Sequence, residues 1–283
     1  MDFWLTWIDE DVEQTVEIAR LAEAAGYRGL ALADHVAVPV DFDSQHPSGG
    51  PTPFDHRTDF PDPLITAATV LAATTSLEVM TYVYVLPMRE PFSVAKQVAT
   101  LAALSGGRFR FGVGAGWLTE EIALLGHPVR GRGRRMDEML EIIRSFWTQD
   151  EVEFHGEFFD FPATGIAPKP PEPVPVWVGG KSPAALERAA RQDGWLGMNY
   201  DLPECRELLA ALRAVRERKG LREPFETFVI PNAAPSVALY DELAELGVTS
   251  TVGSAWGYAD RAFTALEAKR DAIAAFAQQF ISG

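Results

Sequence analysis

The sequence is poor in cysteine and has no long apolar run. Its single cysteine, Cys205, lies in a polar stretch with helical spacing, so no internal disulfide can form and we expect a structural thiol rather than a nucleophile. No apolar run approaches the roughly 18 residues that a transmembrane helix needs. The chain opens MDFWLTWIDED, which lacks the basic start of a signal peptide. These absences predict a cytoplasmic protein.

Positive charge and metal-binding spacings are also scarce. The chain has 25 Lys and Arg residues against 40 Asp and Glu residues, a formal net charge of −15. Nucleic acids and anionic membrane surfaces select basic patches, so we expect neither as a partner and expect a small-molecule substrate instead. Because H-x-H and similar spacings are missing, a metal-dependent barrel hydrolase is disfavoured and no metal site is expected. Its ligands would have to come from Asp34, His35, His46, Asp55 and His56.

What the chain does contain is a regular alternation of strand and helix patterns. The strands are predicted at Phe3–Trp7, Gly29–Ala33, Leu77–Val85, Phe109–Val113, Val174–Gly179, Gly194–Met198, Glu226–Ile230 and Thr249–Gly253. The helices are predicted near 12–25, 63–74, 93–104, 134–148, 183–191, 203–219, 236–246 and 260–280.

Eight strand–helix pairs predict an α/β protein with a (β/α)8 TIM barrel. A chain of 283 residues that is 47% hydrophobic suits one domain over residues 1–283. The alternative is an open doubly wound sheet, which usually has a glycine-rich turn after its first strand, where this chain has WIDED. Two insertions stand out: a long loop over Pro39–Pro61 and a hairpin-like segment over Val152–Phe161.

The segment GRFRFGVGAGW, Gly107–Trp117, ends a short apolar strand in three glycines and a tryptophan. Glycines at such a place leave bare backbone, which lets a flat ring or another strand come close. A barrel corner or a tight strand-to-helix turn would also use them, so the pattern alone leaves both interpretations open.

The order of motifs around this segment resembles the bacterial luciferase-like family of flavin and deazaflavin oxidoreductases. The matching segments are LEVMTYVYVLPMR (Leu77–Arg89), AKQVATLAALSGGR (Ala95–Arg108), GVGAGW, WTQDEVEFHGEFFDF (Trp147–Phe161), PKPPEPVPVWVGGKSPAALERAA (Pro168–Ala190) and DGW (Asp193–Trp195). The resemblance covers residues 1 to about 197 and fades beyond. It implies a TIM-barrel oxidoreductase that uses coenzyme F420 or FMN, in a family whose members are often dimers.

Asp34 and His35 follow the second predicted strand, at the end where barrel active sites form. Adjacent strand residues point to opposite sides, so one of the two should face the barrel. The resemblance implies that His35 lies near the hydride-transfer position and that Asp34 bonds to the polar edge of the cofactor ring. An ordinary hydrogen-bonded pair that closes a loop is the alternative.

The resemblance also implies further cofactor contacts near the strand ends. It indicates a non-proline cis peptide between Tyr82 and Val83, behind the cofactor ring; a plain trans strand is the alternative. Gly114, Ala115 and Gly116 would approach the ring. Luciferases proper have an arginine at the place of Ala115 that grips the FMN phosphate, so its absence here favours F420.

A phosphate site is predicted at Gly179, Gly180, Lys181 and Ser182, between a strand and a helix with Pro183 in its first turn. Free backbone amides, a hydroxyl and a cation suit an anion, and the family binds the cofactor phosphate at this turn. Ser182 serving only as a helix N-cap is the alternative. A basic cluster is expected either to hold an anionic cofactor tail or to pair with acidic neighbours at helical spacing. It consists of Arg130, Arg132, Arg134 and Arg135.

The substrate pocket is expected to use aromatic and imidazole side chains, namely Trp7, His46, His56 and Trp117. With His35 and Asp34 as catalytic residues, the sequence predicts hydride transfer between coenzyme F420 and a small, partly apolar organic substrate. The alternative is an FMN-dependent monooxygenase that uses reduced flavin and oxygen.

Overall fold

A closed parallel barrel forms the centre of the protein. The structure, a computed structural model, describes residues 1–8, 10–253, 256 and 265–281. The barrel strands are β1 Asp2–Trp7, β2 Gly29–Leu32, β3 Glu78–Thr81, β4 Tyr84–Val85, β5 Phe109–Gly114, β8 Val176–Gly179, β9 Gly194–Tyr200, β10 Glu226–Pro231 and β11 Ser250–Val252. Strand β1 pairs with β2 and β11, and both β3 and β4 pair with β5, so the ring closes. The predicted (β/α)8 barrel is confirmed, with β3 and β4 sharing one of its eight strand positions.

Helices follow the strands and cover the outside of the barrel. They are α1 Thr15–Ala24, α2 Pro63–Ala73, α3 Pro91–Ser105, α4 Thr119–Leu124, α5 Arg132–Thr148, α6 Pro183–Ala189, α7 Leu202–Arg218, α8 Val237–Glu245 and α9 Leu266–Phe280. Several begin with proline in the first turn behind a capping side chain; Asp62, for example, accepts hydrogen bonds from the first backbone N–H groups of α2. Among the described residues, no helix is both long and apolar enough to span a membrane.

Strand alternation divides the core into two layers. One fills the barrel interior with Trp4, Ala31, Met80, Tyr82, Trp177, Leu196 and Phe228. The larger layer lies between the strands and the helices and includes Leu5 and Trp7 of β1. Because successive strand residues point to opposite faces, Trp4 points inward and Trp7 outward.

An ion-pair network closes the amino-terminal end of the barrel. Arg28 pairs with Asp2 at 2.9 Å, Glu78 at 3.1 Å and Glu226 at 2.5 Å. Its guanidinium also lies 5.4 Å from the ring of Trp4 inside the barrel. With this end filled, the accessible mouth is at the carboxyl ends of the strands, where barrel enzymes build their sites.

The structure departs from the predicted elements in two places. The third strand, predicted as continuous, breaks at Tyr82–Val83, where the peptide bond is cis. Helix α4 was not predicted. The insertion before β8 is the expected antiparallel hairpin, β6 Val152–His155 and β7 Asp160–Thr164. The predicted start of the last helix at residue 260 lies outside the described residues.

Candidate active site

His35 lies just after β2, at the mouth of the barrel, and is hydrogen-bonded to a buried glutamate. Its Nδ1 is 2.7 Å from Oε2 of Glu121 on α4. The other oxygen, Oε1, accepts the backbone N–H groups of Val36 at 2.6 Å and Ala37 at 3.1 Å. One carboxylate therefore fixes both the imidazole and the backbone that follows it.

The environment of Glu121 keeps its carboxyl group ionised. The residue is 1% exposed, and burial alone raises its pKa. Hydrogen bonds from His35 and from two backbone N–H groups, together with the charge of His35, lower the pKa by more, so it lies below its ordinary value. No motif in the sequence indicates Glu121.

Aromatic rings from the long loop and from the segment after β5 surround His35. The ring centroids of Phe54 and Phe60 lie 4.8 Å and 4.7 Å from that of His35, and Trp117 is at 6.1 Å. His46 packs against Trp117 at 5.0 Å. We call His35, Phe54, Phe60, Trp117 and His46 the aromatic cluster.

The structure thus brings two of the expected pocket residues, His46 and Trp117, next to His35. Burial, followed by the charge of His35, lowers the pKa of His46. His56 is exposed, and no ring contact joins it to the aromatic cluster within the described ranges.

Trp7 lies elsewhere than expected. Its side chain is in the layer between strands and helices, beneath the Lys269 ammonium at 5.6 Å, rather than at the barrel mouth. Alternation along β1 instead directs Thr6 towards the interior. The prediction that Trp7 lines the pocket does not fit this geometry, because Trp7 lies on the side of β1 that faces the helices.

The side chains of Asp34 and His35 have different surroundings. The oxygens of Asp34 accept two hydrogen bonds from Arg89, at 2.7 Å and 2.8 Å, and one from the Val85 N–H at 2.7 Å. Burial raises the pKa of Asp34, and the Arg89 guanidinium counteracts part of the rise. Its side chain is 0% exposed, so in this conformation it braces the turn after β4 and has no open path to a ring.

Val83 forms an apolar platform at the mouth, between two glycines. An added Cβ at Gly114 would lie 2.7 Å from Val83, and one at Gly179 would lie 3.0 Å from it. The glycines therefore make room for the Val83 side chain. Tyr82 points into the barrel, where its hydroxyl donates to the Gly197 carbonyl at 2.5 Å.

The last glycine of the GVGAGW segment, Gly116, has a local structural reason. Gly116 has a φ of +79°, and a Cβ there would meet Val85 at 2.6 Å and Ile122 at 3.0 Å. Ala115 is partly buried against the outer core. Protein side chains, rather than open space, thus lie beside Gly114 and Gly116. This packing favours the interpretation of the glycines as part of a tight turn.

The predicted phosphate turn has the expected shape, but its side chains have protein partners. Gly180 has a φ of +122°, and its carbonyl accepts from Trp195 Nε1 at 2.8 Å. The Ser182 hydroxyl caps α6 by accepting the Ala185 N–H at 3.2 Å. Lys181 pairs with Glu204 at 2.8 Å, with both side chains partly exposed.

The basic cluster does not pair within its own helix. Arg134 pairs with Glu157 at 3.1 Å, and Arg135 donates to the Pro87 carbonyl at 2.7 Å. Asp137 is bound by Arg188 at 2.6 Å instead. Across the described ranges, no group of three or more His, Cys, Asp or Glu side chains is arranged to hold a metal ion.

Comparison with known proteins agrees with this geometry. The sequence model of the luciferase-like monooxygenase family matches residues 5–278. An uncharacterized protein of Mycobacterium tuberculosis is 40% identical over 239 residues, which cover 84% of this chain and 83% of the relative. The FMNH2-dependent dimethylsulfone monooxygenase of Pseudomonas putida is 30% identical over 195 residues, covering 67% of this chain and 49% of that protein.

The barrel is also found in a solved structure of a related kind. The coenzyme F420-dependent tetrahydromethanopterin reductase of Methanopyrus kandleri superposes with a TM-score of 0.74 at 14% identity, covering 98% of this chain and 97% of that one. At this identity the likeness shows the fold. Taken with the family match over nearly the whole chain, the comparisons show that this protein belongs to the luciferase-like monooxygenase family and is an oxidoreductase.

Proposed function

We propose that the protein uses coenzyme F420 to transfer a hydride to or from a small, partly apolar organic substrate. The observation that carries the proposal is the combination, at one barrel mouth, of the Val83 platform and His35. A flat ring system fits such a platform, because Gly114 and Gly179 raise no side chain beside Val83. The bound cofactor would supply the hydride chemistry, which protein side chains lack.

The residues of this chain would bind, orient and exclude water. The aromatic cluster places partly exposed rings at the mouth, which favours an uncharged, partly apolar substrate. His35 would hold or deliver a proton next to the reacting atoms, while Tyr82 and Val83 would support the ring from below. Because Asp34 is bound by Arg89, we assign it the role of positioning this part of the mouth.

The turn at Gly179–Ser182 is the proposed anchor for the cofactor phosphate. Lys181 is half-exposed, so its ammonium can exchange Glu204 for a phosphate without leaving the turn. The backbone N–H groups beside Gly180 add further donors.

F420 is preferred over FMN because of Ala115. The luciferases proper have a phosphate-binding arginine at this place, whereas here a small side chain packs against the core. The Methanopyrus reductase is named for F420, and the Pseudomonas monooxygenase for FMNH2, so both cofactors occur among the proteins to which this chain is similar. An FMN-dependent monooxygenase is the alternative function.

Fluorescence titration of the purified protein with F420 and with FMN tests this choice. We expect F420 to bind at least about tenfold more tightly, or about 1.4 kcal/mol. Lys181→Glu should weaken that binding about tenfold, whereas Lys219→Glu, which removes a similar lysine–glutamate pair of 3.1 Å, should not. Equal or reversed affinities would transfer the assignment to the FMN monooxygenase.

We also propose that the chain is one catalytic domain and assembles as a homodimer through α2 and α3. Helix α2, PLITAATVLAA, has no charged residue, although 23% of the chain is charged. Its outward face includes Ile65, which is 70% exposed. Leu104 of α3, which is 80% exposed, lines the same groove. Such an uncharged surface suits a second copy of the chain. The cytoplasmic location stays a prediction from the sequence.

A further inference from the structure

We propose that Glu121 is a positioning residue that fixes the tautomer of His35 and leaves Nε2 as the nitrogen that exchanges protons at the mouth. The inference rests on the proposed function for its chemical meaning. Its structural part, the location of the proton on the imidazole, can be tested without any cofactor.

The hydrogen-bond pattern determines which ring nitrogen carries the proton. An ionised carboxylate only accepts hydrogen bonds, and Oε1 of Glu121 already accepts the N–H groups of Val36 and Ala37. Oε2 therefore needs a donor at Nδ1 of His35, 2.7 Å away. In the neutral imidazole the proton is then on Nδ1, and Nε2 has the free lone pair.

Nε2 is the ring nitrogen left for the substrate. Within the part of the chain that the structure describes, no side chain or backbone group is hydrogen-bonded to it. Phe54 and Phe60 pack against the ring and provide no polar partner of their own. When His35 is protonated, the Glu121 charge offsets the charge of the imidazolium, so one fixed ring can both accept and donate a proton at Nε2.

The neighbouring Glu120 provides a matched comparison on the same short helix. Its carboxylate accepts the N–H groups of Asp43 at 2.9 Å and Ser44 at 3.1 Å, and the Ser44 hydroxyl at 2.6 Å. Both glutamates thus fasten the loop after β2 to α4. Only Glu121 contacts His35, so a difference between the two variants reports on the imidazole rather than on the loop.

The decisive variant is Glu121→Gln. The glutamine oxygen can still accept the N–H groups of Val36 and Ala37, which turns its NH2 group towards Nδ1 of His35. Nδ1 must then accept, and the ring proton moves to Nε2. The variant keeps the size of the side chain and inverts the tautomer.

Nitrogen-15 spectra of histidine-labelled protein measure this directly. The chain has five histidines, and loss of one signal set in His35→Ala assigns the ring. We expect the Nδ1–H tautomer in the wild type and in Glu120→Gln, and the Nε2–H tautomer in Glu121→Gln. An Nε2–H tautomer in the wild type, or an unchanged ring signal in Glu121→Gln, would overturn the proposal.

Turnover of the enzyme with bound cofactor tests the functional part of the proposal. His35→Ala should lower kcat about 100-fold, as expected for a proton-transfer group. Glu121→Gln should lower kcat to a similar extent with KM little changed, whereas kcat of Glu120→Gln should stay within about threefold of the wild type. In the His35→Ala background, Glu121→Gln should cause no further loss of kcat. A further loss there would show that Glu121 acts independently of His35, contrary to the proposal. If neither cofactor binds, the proposed function fails while the tautomer result still stands.

Discussion

Asp34 and His35 are neighbours in the sequence, but their side chains have different surroundings. Asp34 is enclosed with Arg89, whereas His35 contacts Glu121 and the aromatic cluster. A dipeptide at the end of a barrel strand thus divides into a bracing residue and a residue of the mouth. The buried pair matters for stability, because an unpaired charge inside a protein is far more unfavourable than one in water.

Replacement of Asp34 by alanine is expected to destabilise the fold. Arg89, whose side chain is 16% exposed, would lose its carboxylate partner, and the Val85 N–H would lose its acceptor. We expect the free energy of unfolding to fall by about 3 kcal/mol in urea titrations. The control is Asp55→Ala, which removes an exposed pair with Arg57 and should leave stability nearly unchanged. Equal effects of the two variants would argue against the bracing role.

At the scale of elements, one carboxylate joins α1 to the turn before β3. Oε1 of Glu23 accepts the N–H groups of Thr75 at 2.8 Å, Ser76 at 2.6 Å and Leu77 at 3.0 Å. Burial raises the pKa of Glu23, but these hydrogen bonds lower it to about 2, from an ordinary value of 4.5. Helix α1 and strand β3 are thereby held together at the closed end of the barrel.

This linkage predicts a pH dependence for Glu23→Gln. A carboxyl whose pKa is lowered by folding stabilises the protein at pH values above its unfolded-state pKa of 4.5. That contribution is lost as the pH falls towards 2. We expect the variant to be about 1 kcal/mol less stable at neutral pH, after allowance for solvent screening. Urea titrations between pH 7 and the acid limit should show this difference shrinking below pH 4.5. The control is Glu17→Gln, at an exposed position of the same helix. A difference independent of pH would assign the effect to packing.

The order of elements could be predicted from the sequence because each barrel strand is a short apolar run followed by an amphipathic helix. The bounds of β2, β5 and β10 differ from prediction by one residue at most. The break in the third strand lies inside a continuous apolar run, so periodicity alone could not locate it. Helix α4 has only six residues, TEEIAL, too few to establish a helical period.

The site was predictable where a residue's place in a strand determines its position. His35 lies three residues after the end of β2, and Trp117 lies three residues after the end of β5. Alternation from an inward Trp4 would have excluded Trp7, had the inward side been known. Glu121 had no distinguishing signal among 40 acidic residues, since its role depends on the unpredicted α4 meeting the loop after β2.

At the scale of the whole molecule, the outer faces of α2 and α3 differ from the rest of the surface. Ile65, Ala68, Thr69 and Ala72 on α2 are exposed without any charged residue among them. A groove of about 850 Å³ runs between this face and α3, with Leu104 at its edge and Glu90 and Lys96 among its polar lining residues. An apolar centre with polar groups nearby is the composition of a protein interface.

Charge placed on this face should separate the proposed dimer. A two-fold interface presents each residue twice, so Ile65→Asp would bring two carboxylates into one desolvated region, at a cost of several kcal/mol. We expect light scattering coupled to size exclusion to report a dimer for the wild type and a monomer for Ile65→Asp at micromolar concentration. Val237→Asp is the matched control, because Val237 is 60% exposed at the start of α8, where an acidic residue is favourable. A monomeric wild type, or a dimer that tolerates Ile65→Asp, would place any assembly on another surface.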